Sequence, residues 1–201
     1  HRFPPATGVR RENGEWIVET EKGEIRCEYV VNAAGYYAQR VGEWFKPHGG
    51  RTVPMVVMSH QYFLTDEIAE VKAWSAEHGR TLPMIRDGDS SYYLRQDTHG
   101  LNLGPYERNC KAHWVTPDDP MPDDFSFQLY PDDLDRLEWY IEDAMARVPI
   151  LAEGGVGRYI NGPSPYAPDG LPMVGPMPGV ENAFEAHSFT FGIVQGGGAG
   201  K

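Results

Sequence analysis

Apolar and polar positions change period several times along this chain, and each change marks a predicted element. Trp16-Ile17-Val18-Glu19-Thr20 and Ile25-Arg26-Cys27-Glu28-Tyr29-Val30-Val31, separated by Glu21-Lys22-Gly23-Glu24, predict a hairpin. Its second strand grows more apolar toward Val30-Val31, which predicts that it feeds a buried sheet. A short helix follows over residues 36–45, with Tyr37, Val41 and Trp44 or Phe45 on one side, ended by Lys46-Pro47-His48-Gly49-Gly50. From 51 to 104 strand texture dominates: 53–64, 83–86, 91–96 and 101–104, with Asp87-Gly88-Asp89 and Thr98-His99-Gly100 as turns and a helix over 66–77. This predicts an antiparallel meander. Residues 118–133, rich in Asp and Pro, predict a surface loop, and Leu134, Leu137, Ile141, Met145 and Val148 then recur at helical spacing, predicting a helix over 132–147 with Asp132 and Asp133 complementing its dipole. Beyond Gly154 come short strands at 158–160 and 183–186 around a turn-rich stretch over 162–178.

Composition narrows the function. With 201 residues and 40% hydrophobic content the chain can build one compact domain or two small ones. A net charge of -11 and a pI near 5.0 argue against nucleic acid and anionic lipid as partners, since both demand clustered Lys and Arg. Cys27 and Cys110 are too few and too far apart for a disulfide framework, and read as reduced thiols of the cytoplasm, or of the mitochondrial matrix in a eukaryote. No apolar run of about 18 residues predicts a membrane span. Because the first residue is not Met and the last falls where a helix is opening, the chain reads as a piece of something longer. Counting removes several chemistries. The final Gly-Lys is no phosphate loop, because the required first glycine would fall at Gln195; there is no G-x-G-x-x-G, no G-x-S-x-G, and no histidine or cysteine spacing that holds a metal.

Two stretches point elsewhere. Val30-Val31-Asn32-Ala33-Ala34-Gly35 is a strand ending in small residues, where backbone comes close to a dinucleotide and Gly35 is free to take a positive φ. Phe191-Gly192-Ile193-Val194-Gln195-Gly196-Gly197-Gly198 opens a helix whose first N–H groups favour a negative ligand. Alone, the first also reads as a tight strand-to-helix turn and the second as a flexible tail. Their order, with His60-Gln61-Tyr62, Tyr92-Tyr93-Leu94-Arg95, Asn161-Gly162-Pro163 and Pro168-Asp169-Gly170-Leu171-Pro172-Met173-Val174-Gly175-Pro176 between them, resembles the D-amino-acid-oxidase-like FAD oxidoreductases, and among these the dimethylglycine and sarcosine dehydrogenases.

The resemblance implies an α+β fold: the distal part of an FAD-binding α/β domain over 1–48 and 155–201, and an antiparallel-sheet substrate domain over 49–154. It implies FAD along Asn32, Ala33, Ala34 and Gly35 and at Gly192, Ile193 and Val194, catalytic roles for His60 and Tyr93, and an aromatic wall from Tyr62, Tyr93 and Phe189. Tyr93 and Arg95 share a strand face by period two, so Arg95 is the expected partner of a substrate carboxylate, and His187, at a strand end, a second substrate contact. A lone strand histidine is equally compatible with a hydrogen-bonded core residue, and Tyr92-Tyr93 offers candidates on opposite faces. The expected substrate is a small N-methylated amino acid, oxidised by hydride transfer to flavin; the expected partners are that amine and the missing parts of the parent chain. Alternatives are another amino acid or a polyol phosphate as substrate, or a binding domain without flavin. The family's N-terminal Rossmann fingerprint has no match here, so the piece alone is expected to bind FAD weakly and to be inactive.

Overall fold

The computed structural model describes residues 5–201, so the first four residues of the expected 1–48 segment lie outside it. In chain order the elements are β1 (Ala6–Glu12), β2 (Glu15–Thr20), β3 (Gly23–Cys27), β4 (Val30–Asn32), α1 (Ala38–Glu43), β5 (Val56–Leu64), α2 (Ala69–His78), β6 (Ile85–Asp87), β7 (Tyr92–Asp97), β8 (Gly100–Pro105), β9 (Ala112–His113), α3 (Glu138–Arg147), β10 (Arg158–Tyr166), β11 (Met173–Pro176), β12 (Ala183–His187) and α4 (Gly192–Ala199). They divide into two compact units, one running to Val57 and resuming over Ser164–Lys201, the other spanning Met58–Pro163. The fold is mixed α/β; the pairs β1–β2, β2–β3, β5–β8, β6–β7, β7–β8 and β11–β12 are antiparallel, and β4 pairs with β12 in parallel.

In the first unit, β1, β2 and β3 form a meander. Strand β1, with Val9 its one large apolar residue, carries no apolar period and was not expected; it pairs with β2 through an Asn13-Gly14 turn in which both residues have positive φ. Arg10, reaching Glu12, Glu19 and Glu24, decorates its solvent side. The expected single strand over 25–31 is two. Cys27 pairs with Trp16, whereas Val30 pairs with Ala183 in a second sheet, of order β11-β12-β4, so the chain changes partners at Glu28-Tyr29. The core gathers Trp16, Phe45, Met177, Val180 and Ala183, with the Trp16 ring edge-on to Phe45 and its indole N–H donating to the Glu181 carbonyl. Helix α1 is shorter than expected, beginning after a 3-10 turn at Gly35–Tyr37, and it buries Ala38 and Gly42 rather than Tyr37 and Val41. Small residues face inward because Val53 lies 2.6 Å from where a Gly42 Cβ would sit.

The second unit is a sheet of order β10-β5-β8-β7-β6, with β9 beside β5. Alternation along β5 and β7 sends Phe63, Tyr92 and Leu94 to one face, where Leu101 and Leu103 of β8 join them under α2 and α3. Helix α2 stops where Gly79 enters the left-handed region at φ 64, its N–H bonded to the Ser75 carbonyl. Helix α3 begins later than expected, at Glu138 after a 3-10 turn at Leu134–Arg136, and its buried stripe is Leu137, Tyr140 and Ala144. Asp133 does not serve the helix dipole: its carboxylate takes Lys111 Nζ at 2.6 Å and Arg136 Nε at 2.9 Å. That pair belongs to a polar network in which Arg136 also reaches Glu107 at 3.1 Å and Ser59 at 3.0 Å, and Gln61 bridges Glu107 to the backbone of Asp133. The stretch expected to be turns after Gly162 instead continues β10 to Tyr166, Pro163 and Pro165 included. Proline lacks a ladder donor, and β10 tolerates it by lying at the sheet's edge.

Candidate functional site

The sheet face of the second unit opposite the helices is aromatic. Pairing of β7 with β8 sets Tyr93 across from Gly104, and a Cβ added to Gly104 would run into the Tyr93 ring, so the phenol lies over the glycine. Tyr106, just past β8, stands edge-on to Tyr93 with ring centroids 5.9 Å apart and stacks on His60 of β5 at 5.7 Å; His60 and Tyr93 are 6.4 Å apart. Strand alternation brings His60 here, since Ser59 and Gln61 point the other way into the polar network. Burial among rings lowers the His60 pKa from 6.5, so the imidazole is neutral near pH 7. Burial first, then the neighbouring Tyr106 and Tyr62 hydroxyls, pushes the Tyr93 phenol up to about 12 and keeps its proton on. The His60–Tyr93 pair therefore sets a proton acceptor beside a fixed donor.

Tyr92 is fully buried in the core under α3, with Tyr93 on the far side of the strand. Arg95 shares the Tyr93 face, as period two requires, but its guanidinium is held by Asp97 at 3.0 Å and by the Gln96 carbonyl at 3.3 Å. Tyr106 and Arg86 belong to this face and were not singled out from sequence. Arg86 sits directly across from Tyr93 in the β6–β7 register, a relation that no spacing along the chain displays.

Gly104→Ala is expected to force the Tyr93 ring aside at an overpacking cost of about 1–3 kcal/mol. Urea unfolding, with the tyrosine near-UV circular dichroism as a second signal, measures it; an unchanged midpoint and spectrum would mean the ring moves freely.

The first unit holds the other candidates. Asn32, buried at the end of β4, donates from Nδ2 to the Ala38 carbonyl at 2.9 Å and accepts from the Ala34 N–H at 3.4 Å, so its side chain builds the turn that places Ala33, Ala34 and Gly35. Gly35 has φ +59, and no atom lies within 4 Å of the position a Cβ would take. At the end of the adjacent β12, His187 is fully buried, Nδ1 3.0 Å from Ser188 Oγ and Nε2 3.6 Å from Glu185, with no hydrogen bond to Nε2. Burial lowers its pKa. Ser188, also buried, has φ +62, a rare conformation for a non-glycine residue and one that clusters at functional sites. Helix α4 then opens with Phe191 as N-cap; helix geometry leaves the N–H groups of Gly192, Ile193 and Val194 without intrahelical acceptors, and Ile193 is fully exposed.

These glycines and amides fit a dinucleotide: a positive-φ glycine with open space beside it, next to a strand whose partner ends in an unsatisfied buried imidazole nitrogen. Among the described residues no group of three His, Cys, Asp or Glu side chains could hold a metal ion, and no helix is long and apolar enough to cross a membrane.

A family model described as DAO, FAD dependent oxidoreductase, matches residues 2–201. The chain is 43% identical over 206 residues to the mitochondrial dimethylglycine dehydrogenase of Mus musculus, covering 100% of this chain and 23% of that protein. It is 35% identical over 195 residues to the mitochondrial sarcosine dehydrogenase of Mus musculus, covering 96% and 19%. It thus spans about a quarter or less of the length of these relatives. Among solved structures, L-proline dehydrogenase from P. horikoshii superposes with a TM-score of 0.67 at 22% identity, over 92% of this chain and 44% of that one.

Proposed function

Because this chain belongs to the DAO family of FAD-dependent oxidoreductases, we propose that it is part of an enzyme that oxidises small N-methylated amino acids of the dimethylglycine and sarcosine type. The observation that carries this reading is the aromatic face on which neutral His60 stands beside protonated Tyr93. Bound FAD supplies the acceptor for the hydride that leaves the N-methyl carbon, which turns the amine into an iminium open to hydrolysis. The face of Tyr93 attracts an alkylammonium through its ring quadrupole. His60 then takes the ammonium proton, freeing the nitrogen lone pair that pushes the hydride out. Tyr93 donates a hydrogen bond that orients the substrate. In the first unit, Gly35 and its neighbours Ala33 and Ala34 admit the nucleotide backbone, Asn32 holds their turn, and the amides of Gly192, Ile193 and Val194 offer positive potential to the flavin. Buried His187 is the further polar contact offered from the end of β12. Two free cysteines and the mitochondrial relatives support a reducing compartment, cytoplasmic or, in a eukaryote, the mitochondrial matrix.

The test sets Tyr93 against Tyr92. In the flavin-loaded full-length parent enzyme Tyr93→Phe is expected to slow flavin reduction by dimethylglycine about tenfold or more, on the order of 1.4 kcal/mol for one orienting hydrogen bond. Tyr92→Phe should leave that rate near wild type, because its ring lies in the core. Stopped-flow reduction reads both, and equal rates for the two variants would remove Tyr93 from the chemistry.

A further inference from the structure

We infer that Arg86 is the residue that receives the substrate carboxylate, the role that strand periodicity alone would give to Arg95; this rests on the amine-acid reading above. Arg86 and Tyr93 are cross-strand partners in the β6–β7 ladder, which puts their side chains on one face with Cβ atoms about 5 Å apart. The Arg86 guanidinium carbon lies 4.9 Å from the centroid of the Tyr106 ring, and NH1 is 3.5 Å from the Tyr106 hydroxyl. That same ring stacks on His60 and stands edge-on to Tyr93, so Tyr106 ties the cation to the proton acceptor and donor of the face.

The two arginines differ in what already occupies them. Arg95 is committed to Asp97 and to a backbone carbonyl, so a substrate carboxylate there would displace one anion or crowd against it. Arg86 has no carboxylate partner among the described residues; the Asp87 carboxylate beside it in sequence is taken by Arg147 at 2.9 Å. A guanidinium laid against an aromatic ring keeps its N–H edge open, the edge that grips a carboxylate through two parallel hydrogen bonds. Tyr106 holds the fork before the ligand arrives, so less freedom is lost on binding. The face thus has a cationic end at Arg86 and an uncharged proton-accepting end at His60. It selects a molecule carrying a carboxylate and an amine a short distance apart, and discriminates against esters, amides and simple methylamines.

The flavin-loaded full-length parent enzyme tests this with two probes: acetate, titrated by its perturbation of the flavin absorption spectrum, and the pair dimethylglycine and its methyl ester as substrates. Arg86→Gln should weaken acetate binding about tenfold or more and lower kcat/KM for the acid by a similar or larger factor, with the ester changed less than about threefold. Arg86→Lys should recover part of the loss, and Arg95→Gln should follow wild type. Three results overturn the inference: acid and ester falling together in Arg86→Gln, as a structural role would produce; the carboxylate-selective loss appearing in Arg95→Gln instead; or no acetate binding by wild type. If acetate binds through Arg86 but no N-methyl amine is oxidised, the inference stands and the amine reading fails. If dimethylglycine is oxidised with no acid-over-ester preference that depends on Arg86, the converse holds.

Discussion

Arg136→Ala is expected to lower the unfolding free energy by about 3–5 kcal/mol, the range for removing one partner of a buried ion pair. The Glu107 side chain is only 2% exposed and would keep Gln61 Nε2, 3.4 Å from each carboxylate oxygen, as its remaining polar contact in the network. Burial already raises the Glu107 pKa above 4.5 with Arg136 in place, because desolvation outweighs the attraction of the guanidinium. Taking the cation away raises it further. A carboxyl whose folded pKa lies above its unfolded one costs the fold nothing below about pH 4.5, where both states are neutral, and costs progressively more as pH rises through the folded value. The stability gap between wild type and Arg136→Ala should therefore be widest near pH 7.5 and narrow toward pH 5. Asp133, whose pKa is lowered first by Lys111 and then by Arg136, is ionised across this whole range and adds a part of the gap that does not vary between the two pH values. Urea unfolding at the two pH values gives the answer, and Arg136→Met combined with Glu107→Gln should recover most of the loss, since no charge is then left buried. A gap that does not depend on pH would mean that Glu107 is not the charge being neutralised.

In the full-length parent enzyme Gly35→Val is expected to strip the cofactor, weakening FAD by at least about 100-fold, or roughly 2.7 kcal/mol. Two effects combine. Gly35 sits at φ +59, a region that a β-branched residue strongly disfavours. Its missing side chain also leaves open the space that the nucleotide occupies in the reading above. Gly35→Asn separates the two, because asparagine tolerates the left-handed conformation yet fills the space. If both variants fold by circular dichroism and both lose the flavin absorbance, close approach is the reason for the glycine. If Asn retains flavin and Val does not, only the backbone conformation matters, and stoichiometric flavin in folded Gly35→Val would reduce Gly35 to a turn residue.

Local patterns were legible where one residue's environment is set by its near neighbours. Alternation along 53–64 and 91–96 identified β5 and β7 and separated Tyr92 from Tyr93, because side chains on a strand point alternately to two faces whatever the strand pairs with. Turn chemistry at Pro168-Asp169-Gly170 acts over a few residues, and there Asp169 accepts the Leu171 N–H at 3.0 Å as an Asx turn does. The ordered motifs from Val30 to Gly198 carried the family. Tertiary structure decided the rest, for reasons of partnership. Residues 25–31 read as one strand because hydrophobic period is continuous through Cys27 and Val30, but their hydrogen bonds go to β2 and to β12, strands far apart in sequence. Prolines in β10 looked like turns until the strand's edge position made their missing N–H groups harmless. Asp133 looked like a helix-start charge until Lys111 and Arg136 claimed it. Arg86 and Arg95 are chemically equal in the sequence; the β6–β7 register sets the first beside Tyr93 and leaves it without a carboxylate, while Asp97, two residues along its own strand, occupies the second. Periodicity records which side of an element is buried, whereas register and partner are set by contacts between distant segments that no window along the chain contains.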